Sequence, residues 1–206
     1  MKRIVIVDYG LGNLRSATRG LERAGGKVTV ESDPSQFDMA DGLVLPGVGA
    51  FKSGMRNVQA QKKALLRSVG EGKPLLGICL GMQMLLTASD EGENEGKALE
   101  GLNLLEGHVK RFSFDTTSEK LKIPHMGWNR LKIVKENALM KGADGAYAYF
   151  VHSYFVEPAD HTVATASYGI EFAAVVGYEN IFGTQFHPEK SSTAGLRILK
   201  NFVELC

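Results

Sequence analysis

Hydrophobic runs and helical patterns alternate along the first half of the chain. Runs of β-branched and aliphatic residues predict buried strands at 3–8, 27–31, 42–45 and 75–78. Between them, apolar residues recur at helical spacing at 14–24 and 51–69, and a further helix is predicted directly after Cys79. Strands that alternate with helices in this way predict a parallel sheet with right-handed crossovers.

The pattern changes after residue 87. The polar stretch 89–97 predicts a loop. Short strand-like pieces follow and predict antiparallel pairing, at 107–112, 131–134, 147–156, 162–167 and 172–178. An apolar run then predicts a last core strand at 181–186, and a helical pattern predicts a final helix at 192–205. We therefore expect a single α/β domain over 1–206, with an open, mainly parallel sheet, flanking helices and a small antiparallel β insertion.

The composition excludes several classes of function. The chain has 24 Lys and Arg against 23 Asp and Glu, a net charge of +1 with mixed signs, so neither a nucleic-acid partner nor a membrane partner is expected. Two cysteines give no disulfide framework, and five scattered histidines show no metal spacing, so we expect no metal and no cofactor. No apolar run reaches the length of a membrane span, and we expect a cytoplasmic protein.

Cys79 is the residue of greatest chemical interest. In PLLGICLGMQ at 74–83, an apolar run, a cysteine between Gly77 and Gly81, and a helical pattern predict a strand, a tight turn and a helix. Such a turn exposes a nucleophile above the sheet, and small neighbours leave room for a strained backbone. The alternative is a buried cysteine that behaves as a small hydrophobic residue.

A histidine and a carboxylate follow the last predicted core strand, where His187 and Glu189 flank Pro188. Residues two apart in an extended segment point to the same side, and the proline keeps His187 extended. An imidazole can take a thiol proton and later protonate a leaving amine, while a carboxylate orients the ring. The alternative is a loop histidine beside a solvated glutamate.

The predicted topology brings these groups to one edge of the sheet. Functional sites in open parallel sheets lie at the carboxyl ends of the strands, and Cys79 and His187 each follow a core strand. The segment PGVG at 46–49 leaves a third strand at the same edge. Its backbone amides, with that of Leu80, can stabilise an oxyanion. An ordinary strand-to-helix turn is the alternative for this segment.

The first loop offers a competing interpretation. Gly10 and Gly12 follow a strand and open a helix, and Glu31 ends the next strand, as in a dinucleotide-binding fingerprint. The third glycine position of that fingerprint is Arg15, whose side chain would obstruct close packing of the helix on the strand. We therefore rank nucleotide binding well below thiol chemistry.

The chain resembles the class I (triad) glutamine amidotransferases, which have a flavodoxin-like α/β fold. This resemblance rests on GICLGMQ at 77–83, PGVG at 46–49 and HPE at 187–189, which occur in the family's order. A narrower similarity is to the glutaminase subunits of imidazole glycerol phosphate synthases. It rests on DYGLGNL, PGVGAF, PHMGWN and YFVHSY, at 8–14, 46–51, 124–129 and 149–154, and it covers essentially the whole chain.

The resemblance implies a role for each residue of the site. Cys79 would attack the side-chain amide carbon of glutamine and form a thioester, His187 would be general base and then general acid, and Glu189 would orient His187. The implied oxyanion and glutamine contacts are Leu80, Val48, Gly49, Gln83, Ser153 and Tyr154. A solvated helix position is the alternative for Gln83, and plain strand packing is the alternative for the last two.

The resemblance also implies a partner. A (β/α)₈-barrel cyclase subunit would receive the ammonia within a heterodimer and would make imidazole glycerol phosphate and an aminoimidazole carboxamide ribotide in histidine biosynthesis. Its contacts are expected around the mouth of the site, at Tyr9, Asn13, Trp128, Asn129 and Lys190. Core packing is the alternative for Trp128, and a solvated charge is the alternative for Lys190.

Three other functions stay open at this point. A glutaminase of the same fold could serve another synthase, such as one that forms anthranilate, guanylate or pyridoxal phosphate. A stand-alone cysteine hydrolase or peptidase would be fully active without a partner. A binding module with a silent triad would keep its function when Cys79 is replaced by serine.

Overall fold

The computed structural model describes residues 1–94, 97–114 and 121–206. The α-helices in these ranges are α1 (Leu14–Arg23), α2 (Phe51–Asn57), α3 (Gln59–Gly70), α4 (Leu80–Leu85) and α5 (Ser192–Leu205). The strands are β1 (Arg3–Val7), β2 (Lys27–Glu31), β3 (Gly42–Gly47), β4 (Leu75–Cys79), β5 (Ala88–Asn94), β6 (Lys97–Glu100), β7 (His108–Arg111), β8 (His125–Arg130), β9 (Lys132–Ile133), β10 (Tyr147–His152), β11 (Tyr154–Val156), β12 (Thr162–Tyr168), β13 (Ile170–Tyr178) and β14 (Ile181–Thr184).

One eight-stranded sheet forms the centre of the fold, in the order β2-β1-β3-β4-β14-β13-β12-β9. The strands from β2 to β14 in this order pair in parallel, and the last three strands continue the sheet with antiparallel pairing. This mixed, mainly parallel sheet with flanking helices confirms the predicted fold class. In the described ranges no helix is both long enough and apolar enough to cross a lipid bilayer.

Side chains of alternate residues in the central strands pack into two separate hydrophobic cores, one on each face of the sheet. In β1, Ile4 and Ile6 belong to a cluster that includes α1 and α5, whereas Val5 and Val7 belong to a cluster that includes α2, α3 and α4. Successive side chains of a strand point to opposite faces of the sheet, so a continuous apolar run fills both cores. The helices therefore cover both faces and leave the carboxyl edge of the parallel strands free for a site.

The antiparallel region differs in part from the sequence prediction. The strands β12 and β13 were expected in the antiparallel insertion, but they belong to the central sheet and extend it. Two smaller sheets lie outside it, one formed by β10 and β8 and the other ordered β11-β7-β5-β6. The predicted strand at 147–156 breaks at Ser153, because β10 pairs with β8 whereas β11 pairs with β7.

Local boundaries also correct the sequence analysis. The prediction of a loop at 89–97 is wrong for the residues that the structure describes, because β5 pairs there with both β6 and β7. Tertiary pairing outweighs the polar composition of this stretch. The single helix predicted at 51–69 is divided at Val58 into α2 and α3. The last core strand ends at Thr184, so the residues up to His187 lie beyond it.

Candidate active site

Cys79 lies at the junction between β4 and α4, as the sequence predicts. It is the last residue of the strand and precedes the first residue of the helix, with φ 56° and ψ −109°. A non-glycine residue at positive φ is strained, and such strain concentrates at functional sites. A side chain at Gly81 would overlap the carbonyl oxygen of Leu45, so only glycine lets α4 begin this close to β3. The sequence around the cysteine therefore builds a nucleophile elbow.

Besides His187, two groups in the described part of the chain form hydrogen bonds with the sulfur of Cys79. The thiol donates to the carbonyl oxygen of Val151 at 3.9 Å, and the side-chain amide of Gln185 donates to the sulfur at the same distance. Val151 lies on β10, outside the central sheet, while Gln185 directly follows β14. The sulfur is therefore held between the central sheet and one of the smaller sheets.

His187 and Glu189 form a buried pair. The Nδ1 of His187 lies 2.8 Å from Oε1 of Glu189, and both side chains are 3% exposed. His187 is extended, as predicted, but Pro188–Lys190 form a 3₁₀ turn, so the assumption of an extended segment through Glu189 is wrong. The turn still brings the carboxylate back to the ring, because a 3₁₀ turn is tight enough to place Glu189 beneath it.

The backbone around His187 is fixed by two residues that sequence analysis missed. The amide of His187 donates to the carbonyl of Tyr149 at 3.0 Å. The buried hydroxyl of Ser191 donates to the carbonyl of His187 at 2.7 Å and accepts from the amide of Tyr149 at 2.9 Å. Nothing in the sequence singles out this serine, because its role depends on β10 lying against the turn.

The charges around His187 favour its protonated form. Burial opposes that form and by itself lowers the pKa of His187. Interactions with the sulfur of Cys79 and with the carboxylate of Glu189 outweigh burial and raise the pKa to about 9. Nε2 makes no hydrogen bond of ordinary geometry among the described residues, so the contact with the sulfur is a loose one. An imidazole with this unpartnered nitrogen can accept a thiol proton and keep it beside a thiolate.

A cavity of about 320 Å³ contains the sulfur and the imidazole. The oxyanion and glutamine contacts named in the sequence analysis lie on its wall with both groups. The lining residues are Val48, Gly49, Cys79, Leu80, Gln83, Glu91, Pro124, Val151, His152, Ser153, Tyr154 and His187. The elements that supply them are far apart in sequence, so the cavity is a product of the tertiary fold.

The proposed oxyanion amides lie beside the cysteine. Gly47 pairs with Cys79 in the sheet, so the next two residues, Val48 and Gly49, leave β3 next to the sulfur. Leu80 is the first residue of α4, where backbone amides have no acceptor within the helix. Donors in these positions suit a developing oxyanion.

Gln83 is not a solvated helix residue. Its side chain is buried, and its Nε2 donates to the carbonyl of Tyr154 at 3.1 Å and to Oε1 of Gln185 at 3.0 Å. Both hydrogens of this amide are therefore used within the protein. Gln83 forms part of the cavity wall as a member of a fixed hydrogen-bond network.

Glu91 is a cavity residue that sequence analysis missed. Its Oε2 accepts from the amide of Phe51 at 3.0 Å, and burial raises the pKa of its carboxyl group. A carboxylate on the cavity wall can receive the α-ammonium group of an amino-acid ligand. Glu91 belongs to β5, and the position of this strand in the fold brings its side chain to the cavity wall, which the sequence does not reveal.

Two buried histidines contact each other at the cavity, where His152 lies on the wall and His125 lies outside the lining. Nδ1 of His125 is 3.1 Å from Nε2 of His152, and Nδ1 of His152 is 2.7 Å from the carbonyl of Tyr154. The carbonyl can only accept, so His152 donates from Nδ1 and accepts from His125 at Nε2. Burial lowers the pKa of His125 to about 4 and, with the nearby histidines, lowers that of His152 to about 3. Both rings are therefore neutral near pH 7.

The expected interface residues have different surroundings. The ring of Tyr9 is only 4% exposed, so the structure contradicts its expected place on the surface. Asn13 is half-buried and caps α1 by accepting from the amide of Ser16. Trp128 is 53% exposed, which excludes core packing. Asn129 donates to the carbonyl of Ser167, and Lys190 is exposed.

Among the described residues, no group of three or more His, Cys, Asp or Glu side chains is close enough to hold a metal ion. The cavity wall carries the thiol of Cys79, two imidazoles, the carboxylate of Glu91 and backbone amides, and the carboxylate of Glu189 is paired with the imidazole of His187. This set suits nucleophilic attack on a carbonyl group.

Comparison with known proteins identifies the family. The model of the family "Glutamine amidotransferase class-I" matches residues 5–206. The HisH subunit of imidazole glycerol phosphate synthase from Natronomonas pharaonis is 55% identical over 208 residues, which cover 98% of this chain and 94% of that protein. The HisH subunit from Methanosarcina acetivorans is 50% identical over 210 residues, which cover the whole of both chains.

Solved structures show the same fold at low sequence identity. PurLQS from Thermotoga maritima superposes with a TM-score of 0.75 at 18% identity, covering 100% of this chain and 99% of that chain. A crystal structure of a glutamine amidotransferase gives a TM-score of 0.73 at 19% identity, covering 98% and 97%. The chain therefore belongs to the class-I glutamine amidotransferases, and its full-length similarity places it among the HisH glutaminase subunits of imidazole glycerol phosphate synthase.

Proposed function

We propose that this chain hydrolyses glutamine through a Cys79 thioester and passes the ammonia to a (β/α)₈-barrel cyclase subunit, as one half of a heterodimeric imidazole glycerol phosphate synthase. The observation that carries the proposal is the convergence of Cys79 and His187 at one cavity, with the buried Glu189 bound to the imidazole of His187. The relatives that the chain resembles over its full length bear the name of this synthase subunit.

Acylation uses the sulfur and the imidazole together. His187 takes the thiol proton at Nε2, and the sulfur of Cys79 attacks the amide carbon of glutamine. Backbone amides of Leu80 and of the 48–49 segment stabilise the oxyanion. The imidazolium then protonates the leaving nitrogen, the C–N bond breaks, and ammonia departs. Glu189 stabilises the imidazolium throughout this step and keeps its Nε2 directed at the reaction.

Deacylation repeats the same roles with water. His187 removes a proton from water, whose oxygen attacks the thioester carbonyl. When the second tetrahedral intermediate collapses, the C–S bond breaks and its electron pair returns to the sulfur of Cys79. Glutamate is released, and the proton held by His187 restores the thiol. The cavity places both steps at one position, so no second site is needed.

Glutamine is held by groups at both ends. We propose that Glu91 receives its α-ammonium group, since this carboxylate lies on the cavity wall. Ser153 follows β10 and Tyr154 begins β11, and both residues line the same cavity. Gln83 completes the wall. Glutamine carries an α-ammonium group, an α-carboxylate and a side-chain amide, and this arrangement provides partners for the first and the last of them.

The proposed partner contacts are Asn13, Trp128, Asn129 and Lys190, and the buried ring of Tyr9 is not among them. Trp128 and Lys190 are exposed, and Asn13 and Asn129 are half-buried at the surface. Exposed aromatic side chains are enriched at protein interfaces. Docking of the barrel there would cover the mouth of the site and prevent loss of ammonia to water. The cytoplasm is the location that we propose for this complex.

The decisive experiment measures glutamate release from glutamine by the purified chain. It is run alone, with the barrel cyclase, and with the cyclase and its ribonucleotide ligand. We expect low activity alone and a large increase with the liganded partner. Full activity that the partner does not change would contradict the proposal and favour a stand-alone hydrolase. Activation by the glutaminase-dependent subunit of another synthase, and not by the cyclase, would favour that other synthase.

A further inference from the structure

Gln185 is a fully buried polar residue beside the nucleophile, and the mechanism above does not use it. In the sheet register Ile78 pairs with Thr184, so the residues that follow them, Cys79 and Gln185, emerge side by side. The backbone amide of Gln185 donates to the carbonyl of Ala174 at 2.9 Å, which fixes the residue at the end of β14. Its side chain therefore reaches the sulfur from a rigid part of the central sheet.

The direction of the Gln185 amide is set by a backbone carbonyl. The carbonyl of Tyr154 can only accept, so the atom of Gln83 that contacts it must be the nitrogen, Nε2. That same nitrogen lies 3.0 Å from Gln185, which must present its oxygen, Oε1. The remaining nitrogen of Gln185 then faces the sulfur of Cys79 at 3.9 Å. The carbonyl of Tyr154, on the cavity wall, thus determines that Gln185 presents a donor to the sulfur.

We propose that Gln185 is a catalytic residue that donates a hydrogen bond to the sulfur of Cys79 and stabilises it as an anion, both before attack and when it leaves the thioester. The contribution of Gln185 to turnover rests on the function proposed above. Its hydrogen bond to the thiolate does not depend on that function.

The two contacts of the sulfur respond differently to its charge. The contact with Val151 needs the thiol proton, so it is lost when His187 takes that proton. The contact with Gln185 needs only a lone pair on the sulfur, and it strengthens when the sulfur is negative. When the sulfur loses its proton, it therefore loses its hydrogen bond to the Val151 carbonyl and keeps the hydrogen bond from the Gln185 amide. When the C–S bond of the thioester breaks, its electron pair returns to the sulfur, and the same amide stabilises the resulting thiolate.

A purely structural role would make a different prediction. Gln185 could serve only to satisfy Gln83 within a buried network, and its loss would then lower stability without altering the sulfur. The reactivity of Cys79 towards iodoacetamide separates the two roles, because only the thiolate is alkylated. Alkylation also needs no glutamine and no partner, so it tests the contact independently of the glutaminase function.

The experiment measures the rate of Cys79 alkylation against pH in the full chain. Cys79→Ala supplies the background from Cys206. Gln185→Met removes the donor at similar size, and Gln185→Glu keeps an oxygen for Gln83 but puts a negative charge at the sulfur. Thr184→Val is the matched control, since Thr184 is equally buried on the same strand and its hydroxyl donates to Phe186. Thermal unfolding of every variant is recorded alongside.

We expect Gln185→Met to slow alkylation about tenfold near neutral pH and to move its midpoint up by about one pH unit. Gln185→Glu should have the larger effect, and Thr184→Val should have none. In the wild-type chain, the side-chain amide signal of Gln185 in nitrogen-15 NMR should shift at the alkylation midpoint, which makes the test independent of variant folding. The proposal would be overturned if both Gln185 variants had the alkylation profile of the wild type. It would also be overturned if the chemical shift of the Gln185 side-chain amide did not change at the alkylation midpoint. A shifted profile in a chain that releases no glutamate even with the liganded cyclase would instead leave the contact intact and refute the glutaminase function.

Discussion

The hydroxyl of Tyr9 donates a 2.6 Å hydrogen bond to the backbone carbonyl of Pro46. The phenol is buried, and burial together with the nearby Cys79 raises the pKa of Tyr9 above its ordinary value, so it stays a donor. A Cβ atom at Gly47 would lie 2.7 Å from this hydroxyl and equally close to Leu80. The end of β1 is thus attached to the segment that supplies the proposed oxyanion amides.

Tyr9→Phe should therefore weaken glutamine hydrolysis without removing the nucleophile. The buried Pro46 carbonyl loses its donor, at a cost of about 1–3 kcal/mol in unfolding free energy. We expect kcat in the cyclase complex to fall while Cys79 alkylation stays near the wild-type rate. Equal kcat in both proteins would show that the 46–49 segment keeps its position without this bond.

Cys79→Ala should abolish glutamate release and leave ammonia-dependent synthesis intact in the complex. The variant loses only the sulfur at the end of β4, and the cyclase carries out its own chemistry. The measurement compares product formation from glutamine with that from ammonium salts. Failure with ammonia, in a complex shown to be assembled by gel filtration, would contradict the proposed division of labour.

Glu189→Gln should lower turnover by about 10²-fold, less than the loss of Cys79, since the orienting member of a triad is partly dispensable. Without the carboxylate charge, the pKa of His187 falls below its present value of about 9. The imidazolium is then lost at lower pH, so the alkaline limb of the kcat/KM profile moves towards neutrality. An unchanged alkaline limb would show that another group controls it.

The His187–Glu189 pair stabilises the fold at low pH, whereas His125 and His152 destabilise it there. The folded-state pKa of His187 lies above its ordinary 6.5, so its stabilisation is complete below pH 6.5 and is lost as pH rises to about 9. Urea unfolding across this range should show a loss of about 1–3 kcal/mol. Glu189→Gln should reduce that loss, and an equal loss in the variant would assign it to other groups.

His125 and His152 should make the fold sensitive to acid. Their folded-state pKa values, about 4 and about 3, lie below the ordinary 6.5. The unfolded chain therefore binds more protons, and stability falls as pH drops below 6.5, by about 2–4 kcal/mol near pH 4. His125→Gln, measured by urea unfolding from pH 7 to 4, should flatten this dependence. His108→Gln, at a half-buried histidine that pairs with Asp90, is the comparison variant, and equal slopes in both variants would contradict the assignment.

Gly81→Ala should prevent normal folding, because the added carbon would overlap the carbonyl oxygen of Leu45. We expect a destabilisation of more than about 3 kcal/mol and loss of activity. Gly70→Ala, at the exposed end of α3, has no atom within 4 Å of the added carbon. It should be neutral or stabilising by up to about 1 kcal/mol. Similar unfolding midpoints for the two variants would refute the close approach of α4 to β3.

The pattern of the sequence is sufficient for the parallel half of the fold. Continuous apolar runs such as β1 must fill cores on both faces, and the elbow at Cys79 needs small residues on either side. Both requirements are local, so spacing and residue type are enough to predict them. The pairing of Cys79 with His187 also follows, because the carboxyl ends of parallel strands share one edge.

Only the tertiary structure decides which polar side chains serve the site. Glu91, Ser191 and Gln185 look like ordinary polar residues in the sequence, and each owes its role to the register of a distant strand. Tyr9 looks like a surface residue of a loop, yet its ring is buried against Pro46. Residue spacing records local geometry, whereas hydrogen bonds between distant segments depend on how the whole chain packs.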